Sequence, residues 1–231
     1  MPISAAQKNK IIRVINVFET GKPDGVYDAI SIYKDGPSVN GEKIRQITYG
    51  RSQTTEYGNL KRLIELYIER GGLFANAFKP YLPKIGGKNK SLHTNIEFKN
   101  LLKRAAREDI IMRNAQDELF DIYYYQPALI FFEGNKFADA LSLLVIYDSY
   151  IHSGSIPDFL RKRFPERTPR NGGDGRKWIE QYVNARHEWL RTHTNTILQK
   201  TIYRTKCFKD QIAAGNWDLA NPVKANGITI T

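Results

Sequence analysis

A mainly α-helical (α+β) chain with one small antiparallel β-hairpin near its N-terminus is the fold class this sequence predicts. Three observations carry that reading. Apolar residues recur at helical spacing before residue 20 and through most of the chain after residue 59. Two runs of β-branched and aromatic residues, 26–35 and 44–49, flank a stretch of turn-forming residues. With 231 residues, 41% of them hydrophobic, the chain can bury a large core as one domain or two packed lobes.

The first helix is expected over residues 4–19, because Ile11, Ile12, Ile15 and Phe18 fall at i, i+1, i+4 and i+7. Gly21 offers a left-handed stop. The run Val26–Asp35 reads as a strand, Asp35-Gly36-Pro37-Ser38-Val39-Asn40-Gly41 as turn chemistry, and Ile44–Tyr49 as the returning strand. A polar loop covers 50–58. Asn59 then caps a helix whose face carries Leu60, Leu63, Ile64, Tyr67 and Ile68 and which ends at Gly71-Gly72. A short helix through Phe74 and Tyr81 stops at Pro83. Residues 84–91 are the most linker-like, so a lobe boundary is expected there within a single two-lobed domain. Further helices read at about 95–107, 111–125, 127–152 and 175–205, the third apolar on more than one side and therefore central. The C-terminal helices have room to pack back on the first lobe. The tail 214–222 has no regular period.

Composition narrows the function. No apolar run approaches the length of a membrane span, and the first residues show no apolar core of a secretory signal. The single cysteine, Cys207, rules out an intramolecular disulfide and a cysteine-based zinc site, and reads as an ordinary thiol. Net charge is +11, but lysines and arginines are interleaved with acids and form no block of five. The charge therefore reads as a property of the whole surface and not as a nucleic-acid patch. His93, His152, His187 and His193 include no metal-spaced pair, and the sequence has no GxSxG, P-loop or GxGxxG motif. No metal and no cofactor is expected. The Tyr123-Tyr124-Tyr125 run reads as half-buried packing.

What remains is carboxylate chemistry. Glu19 sits in the last turn of a core-facing helix, where the negative end of the helix dipole and apolar neighbours favour a protonated carboxyl. A general acid needs that property. Taken alone, such a glutamate is more simply a solvated side chain. The hairpin that follows supplies a second carboxylate, and two carboxylates in contrasting environments are what glycoside hydrolysis requires. Asp35, at the mouth of the turn, is exposed and polar; Asp24 and Asp28 compete with it by position.

Several ordered segments resemble the chitosanases of glycoside hydrolase family 46, whose fold is lysozyme-like. Glu19 closes the first helix, Asp35-Gly36 follows, and Arg45-Gln46-Ile47-Thr48-Tyr49-Gly50 resembles the family strand. Gly58-Asn59-Leu60 resembles its helix start. Tyr147-Asp148 with His152 and Gly154, Arg167-Thr168-Pro169, Gly172-Gly173-Asp174, Ala185-Arg186 and Gly215-Asn216-Trp217-Asp218-Leu219 extend the resemblance over most of the chain. It implies an endo-acting, inverting hydrolase of β-1,4 bonds in chitosan. Glu19 would be the acid and Asp35 the base, with Asp28 in reserve. Thr48 would hold the water, and Arg45 and Asn59 would contact substrate. Asp148, Arg167 and Arg186 would form a buried network behind the acid. Asn59 stands where the family often has a substrate-binding aspartate. The substrate cleft would lie between the lobes. A secreted, monomeric protein is also implied. Because chitosan is a polycation and this chain is basic, two alternatives stay open: a lysozyme-like hydrolase of another amino-sugar polymer such as peptidoglycan, and a non-catalytic saccharide-binding module.

Overall fold

The computed structural model describes residues 2–51, 53–87 and 91–231. They form two compact units. One joins the N-terminal residues to Asp24 with everything from Ile122 onward; the other is Gly25–Asp121. The expected boundary at 84–91 falls inside the second unit, and residues 88–90 of it lie outside the described residues.

In the first unit, α1 (Ala5–Thr20) begins at a capping box in which Ser4 and Gln7 exchange hydrogen bonds, and ends at Gly21 with φ 71°. Its buried face includes Ile11, Val14, Ile15 and Phe18, as the periodicity predicts. In the second unit, β1 (Ile30–Tyr33) pairs antiparallel with β4 (Gln46–Tyr49), with Ser31 opposite Thr48 and Tyr33 opposite Gln46. Between them a smaller ribbon, β2 (Ser38–Val39) with β3 (Glu42–Lys43), fills the turn. A third strand, β5 (Thr54–Thr55), pairs with β4 inside the stretch expected as loop. Strand β1 is shorter than expected because Tyr27 is drawn to α5 (Ile110–Phe120): its hydroxyl donates to Asp117 and its carbonyl accepts from Gln116. The remaining helices of this unit are α2 (Leu60–Glu69), α3 (Ala75–Phe78) and α4 (Ile96–Glu108), and their apolar faces form one core with Ile47 and Tyr49 of β4. Asn59 stands at the start of α2, but its side chain makes no cap hydrogen bond.

A π-turn, Asp121–Tyr125, carries the chain back to the first unit. The single helix expected over 127–152 is two, α6 (Gln126–Gly134) and α7 (Ala140–Ser153), broken where Lys136 adopts φ 60°. Helix α7 is the central one: every residue from Ala140 to Ser149 is buried. After the short α8 (Asp158–Arg161), the helix expected over 175–205 also divides, into α9 (Gly175–Arg191), α10 (Thr196–Gln199) and α11 (Tyr203–Ala213). The Thr192 hydroxyl bonds back to Glu188, and Asn195 caps α10, so the break is built from side chains without glycine or proline. A two-stranded ribbon, β6 (Val223–Ala225) and β7 (Ile228–Ile230), packs on α1. None of the helices among the described residues is long and apolar enough to cross a membrane.

Candidate active site

Glu19 lies in the last turn of α1, with its side chain 17% exposed. Its neighbourhood is more polar than the sequence suggests. The Arg204 guanidinium, from α11, lies 2.5 Å from Glu19 Oε1 and also donates to Asp148 Oδ1 at 2.7 Å. Asp148 is fully buried on α7 and meets the Arg186 guanidinium of α9 at 2.7 Å. Three helices thus converge on one chain of charges behind the acid candidate. Burial alone would push the Asp148 carboxyl up, but Arg186 and then Arg204 outweigh it and hold it below the usual carboxylate range. Burial works against the Arg204 charge too, and Asp148 and Glu19 overcome it, so the guanidinium is held firmly protonated. The same end of α1 is capped by Tyr203, whose hydroxyl donates to the Phe18 carbonyl at 2.9 Å. A cation at a helix C-terminus is favourable in its own right.

Two of the three residues expected in this network are present. Arg167 is not among the ion-pair partners of Asp148; it is exposed and lines a cavity of about 620 Å³ with Phe131, Ile156 and Trp178. Arg204 takes its place. His152, one turn after Asp148, is pushed down to about 4 by burial first and by Arg186 second, against the pull of Asp148. Cys207 is buried, and burial raises its thiol to about 12, which keeps it an inert thiol.

The second unit presents the other candidates. Asp35 is exposed, two residues beyond β1, and accepts a hydrogen bond from Gln46 Nε2 at 2.9 Å. The Gln46 amide is oriented because its oxygen accepts from the Tyr57 backbone at 3.2 Å, which turns its nitrogen toward Asp35. Gly36 lets the turn close: its N–H donates to the Ile44 carbonyl, and a Cβ there would stand 2.9 Å from that oxygen. Thr48 follows Gln46 by two residues on β4, so both side chains leave the same face of the strand. The Thr48 hydroxyl is buried and has no protein partner among the described residues. Asp28 is engaged elsewhere, in an ion pair with Arg107 at 2.5 Å, and Asp24 of the first unit is exposed, 3.8 Å from Arg13. Glu56, also acidic and near in sequence, is buried and spends both oxygens on Ser91 and the Leu92 backbone. Arg45 is exposed, and Asn59 is half-buried. Among the described residues no group of three or more His, Cys, Asp or Glu side chains is placed to hold a metal ion.

Sequence reasoning missed Arg204 and Gln46. Arg204 sits in a stretch rich in lysine and arginine, and nothing local marks it. Gln46 stands beside the residues singled out, and its alternation with Thr48 along the strand was the available signal.

The first unit thus offers a carboxylate anchored to buried charges, and the second a carboxylate on a hairpin, each a candidate for acid–base work. The chain belongs to glycosyl hydrolase family 46, whose model matches residues 13–223, and is therefore a glycoside hydrolase. It is 26% identical over 233 residues to the chitosanase of Bacillus subtilis (strain 168), covering 94% of this chain and 80% of that one. Its fold is similar to the crystal structure of the native chitosanase from Bacillus subtilis MY002, with TM-score 0.80, 22% identity and full coverage of both chains. An alanine variant of that enzyme, in which a glutamate is replaced, in complex with 6 GlcN gives TM-score 0.81 at 23% identity, again over both chains in full. The chitosanase of Gynuella sunshinyii in complex with chitotetraose gives 0.78 at 20% identity, covering 99% of this chain and 98% of that one.

Proposed function

We propose that this glycosidase cleaves β-1,4 linkages within chitosan chains with inversion, Glu19 acting as general acid and Asp35 as general base. Glu19 would give its proton to the glycosidic oxygen as the bond to the anomeric carbon breaks. Asp35 would take a proton from the water whose oxygen bonds to that carbon from the opposite face, which leaves a new reducing end of inverted configuration. Exchange with solvent restores both groups. The observation that carries this reading is the Asp35–Gln46–Thr48 arrangement. An oriented amide holds the carboxylate, and on the same strand face lies a buried hydroxyl with no partner among the described residues, which we assign to the water. The prior engagement of Asp28 with Arg107 supports Asp35 over it. That the Bacillus enzyme was captured with 6 GlcN as a glutamate-to-alanine variant agrees with a glutamate acid. Arg167, exposed and lining a separate cavity, has no part in this mechanism.

The test is release of reducing ends from chitosan, with the anomer followed by NMR. Glu19→Gln and Asp35→Asn should each lower kcat by about 10²- to 10⁴-fold, the usual contribution of a general acid or base. Asp28→Asn should leave kcat within about twofold of wild type. An active Glu19→Gln enzyme, or retention of configuration, would sink the mechanism. A second reading, a different amino-sugar polymer such as peptidoglycan, is favoured by Asn59, which offers a substrate ammonium an amide instead of a carboxylate. Hydrolysis of peptidoglycan with none of chitosan would select it. We extend the proposal to a secreted, monomeric enzyme, which fractionation and light scattering would check.

A further inference from the structure

The second unit carries a groove of about 1030 Å³ lined by Val39, Ile44, Arg45, Lys84, Leu92 and His93, with Gly87, Ser91, Thr94 and Asn95 completing its wall. Its volume is at the upper end of ligand pockets, which run to about 1,000 Å³. Its charge is one-sided. Two cations, Arg45 and Lys84, line it, and no carboxylate is among the described residues that do. Elsewhere in the unit, Arg62, Arg70 and Arg104 reach Glu69, Glu118 and Glu108 at 2.8, 2.6 and 3.2 Å. Among the described residues, Lys84 makes a cation–π contact with Tyr81, and no carboxylate pairs with Arg45 or Lys84. His93 Nδ1 is buried without a partner among the described residues. Glu56 lies behind the wall, but its carboxylate is buried and bonded to Ser91 and Leu92.

A groove of this kind repels an ammonium and attracts an anion. We propose that it binds an anionic group, a carboxylate or a phosphate, carried on a saccharide chain. Arginine offers a planar fork to either group, and lysine a mobile point charge. Thr94 and Asn95 add neutral polar groups suited to sugar hydroxyls. Among the described residues the lining includes no Phe, Tyr or Trp on which bases could stack, which favours a glycan over a single-stranded nucleic acid. The basic surface of this enzyme would then have a focus, one that holds it on anionic polymer while the catalytic carboxylates act on neighbouring chains. This binding does not depend on which carboxylate is the base, and it takes Arg45 out of the set expected to contact a chitosan ammonium.

Fluorescence anisotropy with two labelled probes tests it: an oligogalacturonate, which carries carboxylates, and a glycosylated poly(glycerol phosphate), which carries phosphodiesters. Wild-type protein should bind at least one, and the one bound names the anion. Lys84→Glu should weaken binding by at least about tenfold, since it sets like charges face to face. Lys84→Gln should fall between, and stands in if the reversal does not fold. Lys61→Glu, on the exposed face of α2, makes the same change in net charge and should alter binding by less than about twofold if the groove is the site. The proposal is overturned if neither probe binds at low salt. Equal loss in Lys61→Glu and Lys84→Glu overturns it too, and so does tighter binding of a single-stranded oligonucleotide than of either glycan. Because binding is read and not hydrolysis, an error in the catalytic assignment would leave the result intact.

Discussion

The two catalytic candidates are held in opposite ways. Glu19 ends a buried helix, and its carboxylate is the outer link of a chain that runs through Arg204 and Asp148 to Arg186, three residues that are 4%, 0% and 1% exposed. Asp35 is exposed on a hairpin, and the hydrogen bond it accepts comes from one neutral amide, Gln46. The acid candidate is thus part of what folds the first unit, whereas the base candidate is carried by a turn that could lose its support and leave the second unit standing. The contrast fits the two roles. A proton donor must meet one oxygen in one geometry, while a base that works through water tolerates some movement.

The difference can be broken first on the acid side. Arg204→Leu removes the shared cation and leaves Asp148 buried with one partner. It should cost about 3–5 kcal/mol of stability, as breaking a buried ion pair does. For a chain of this size that lowers Tm by about 10 °C. A thermal melt within about 2 °C of wild type would show that the network is ornamental and that the contrast is false.

The same network predicts how the first unit responds to acid. His152 lies beside it and is pushed down to about 4 when folded, from 6.5. A base whose folded value is depressed binds protons more weakly folded than unfolded, so stability is present above about 6.5 and is lost as pH falls toward about 4. The loss should be of the order of 3 kcal/mol. Asp148 is depressed as a carboxylate, so its contribution drops only at more acidic pH, below the ordinary carboxylate value. A series of melts from pH 7 to pH 4 should therefore slope downward in wild type and flatten in His152→Gln. Parallel slopes would remove His152 from the account.

How much of this was written locally follows from the same contrast. Helix α1, its glycine stop and the antiparallel pairing of the two hairpin strands were legible, because they depend on residues close to one another in the chain. The environment of Glu19 was not. Its cation comes from position 204, and the helix carrying it was expected as the end of a longer one. The break at Lys136 was equally silent, since a lysine at positive φ has no sequence signature. The grouping of the chain was hidden for a related reason: α1 packs on α7 and on β6 and β7, contacts that periodicity does not reveal. Arg167 was misplaced because sequence order suggests a network but cannot choose among several arginines.

The smallest effect should appear on the base side, and it is the sharpest test of the comparison. Gln46→Leu removes the amide that orients Asp35 while keeping the volume of the side chain. The lost hydrogen bond should cost about 1 kcal/mol of stability, far less than Arg204→Leu. The carboxylate would then sample several positions, and kcat on chitosan should fall about tenfold with KM unchanged, because the change acts on geometry and not on substrate contact. Gln46→Glu, which also lacks the donor and adds a charge next to Asp35, should fall further and shift the alkaline or acidic limb of the pH profile. If Gln46→Leu instead lowered Tm as far as Arg204→Leu does, the hairpin would be as integral to its unit as the acid is to the other. An unchanged kcat with Asp35→Asn inactive would mean that Asp35 finds its working position without Gln46, held by the substrate and its water.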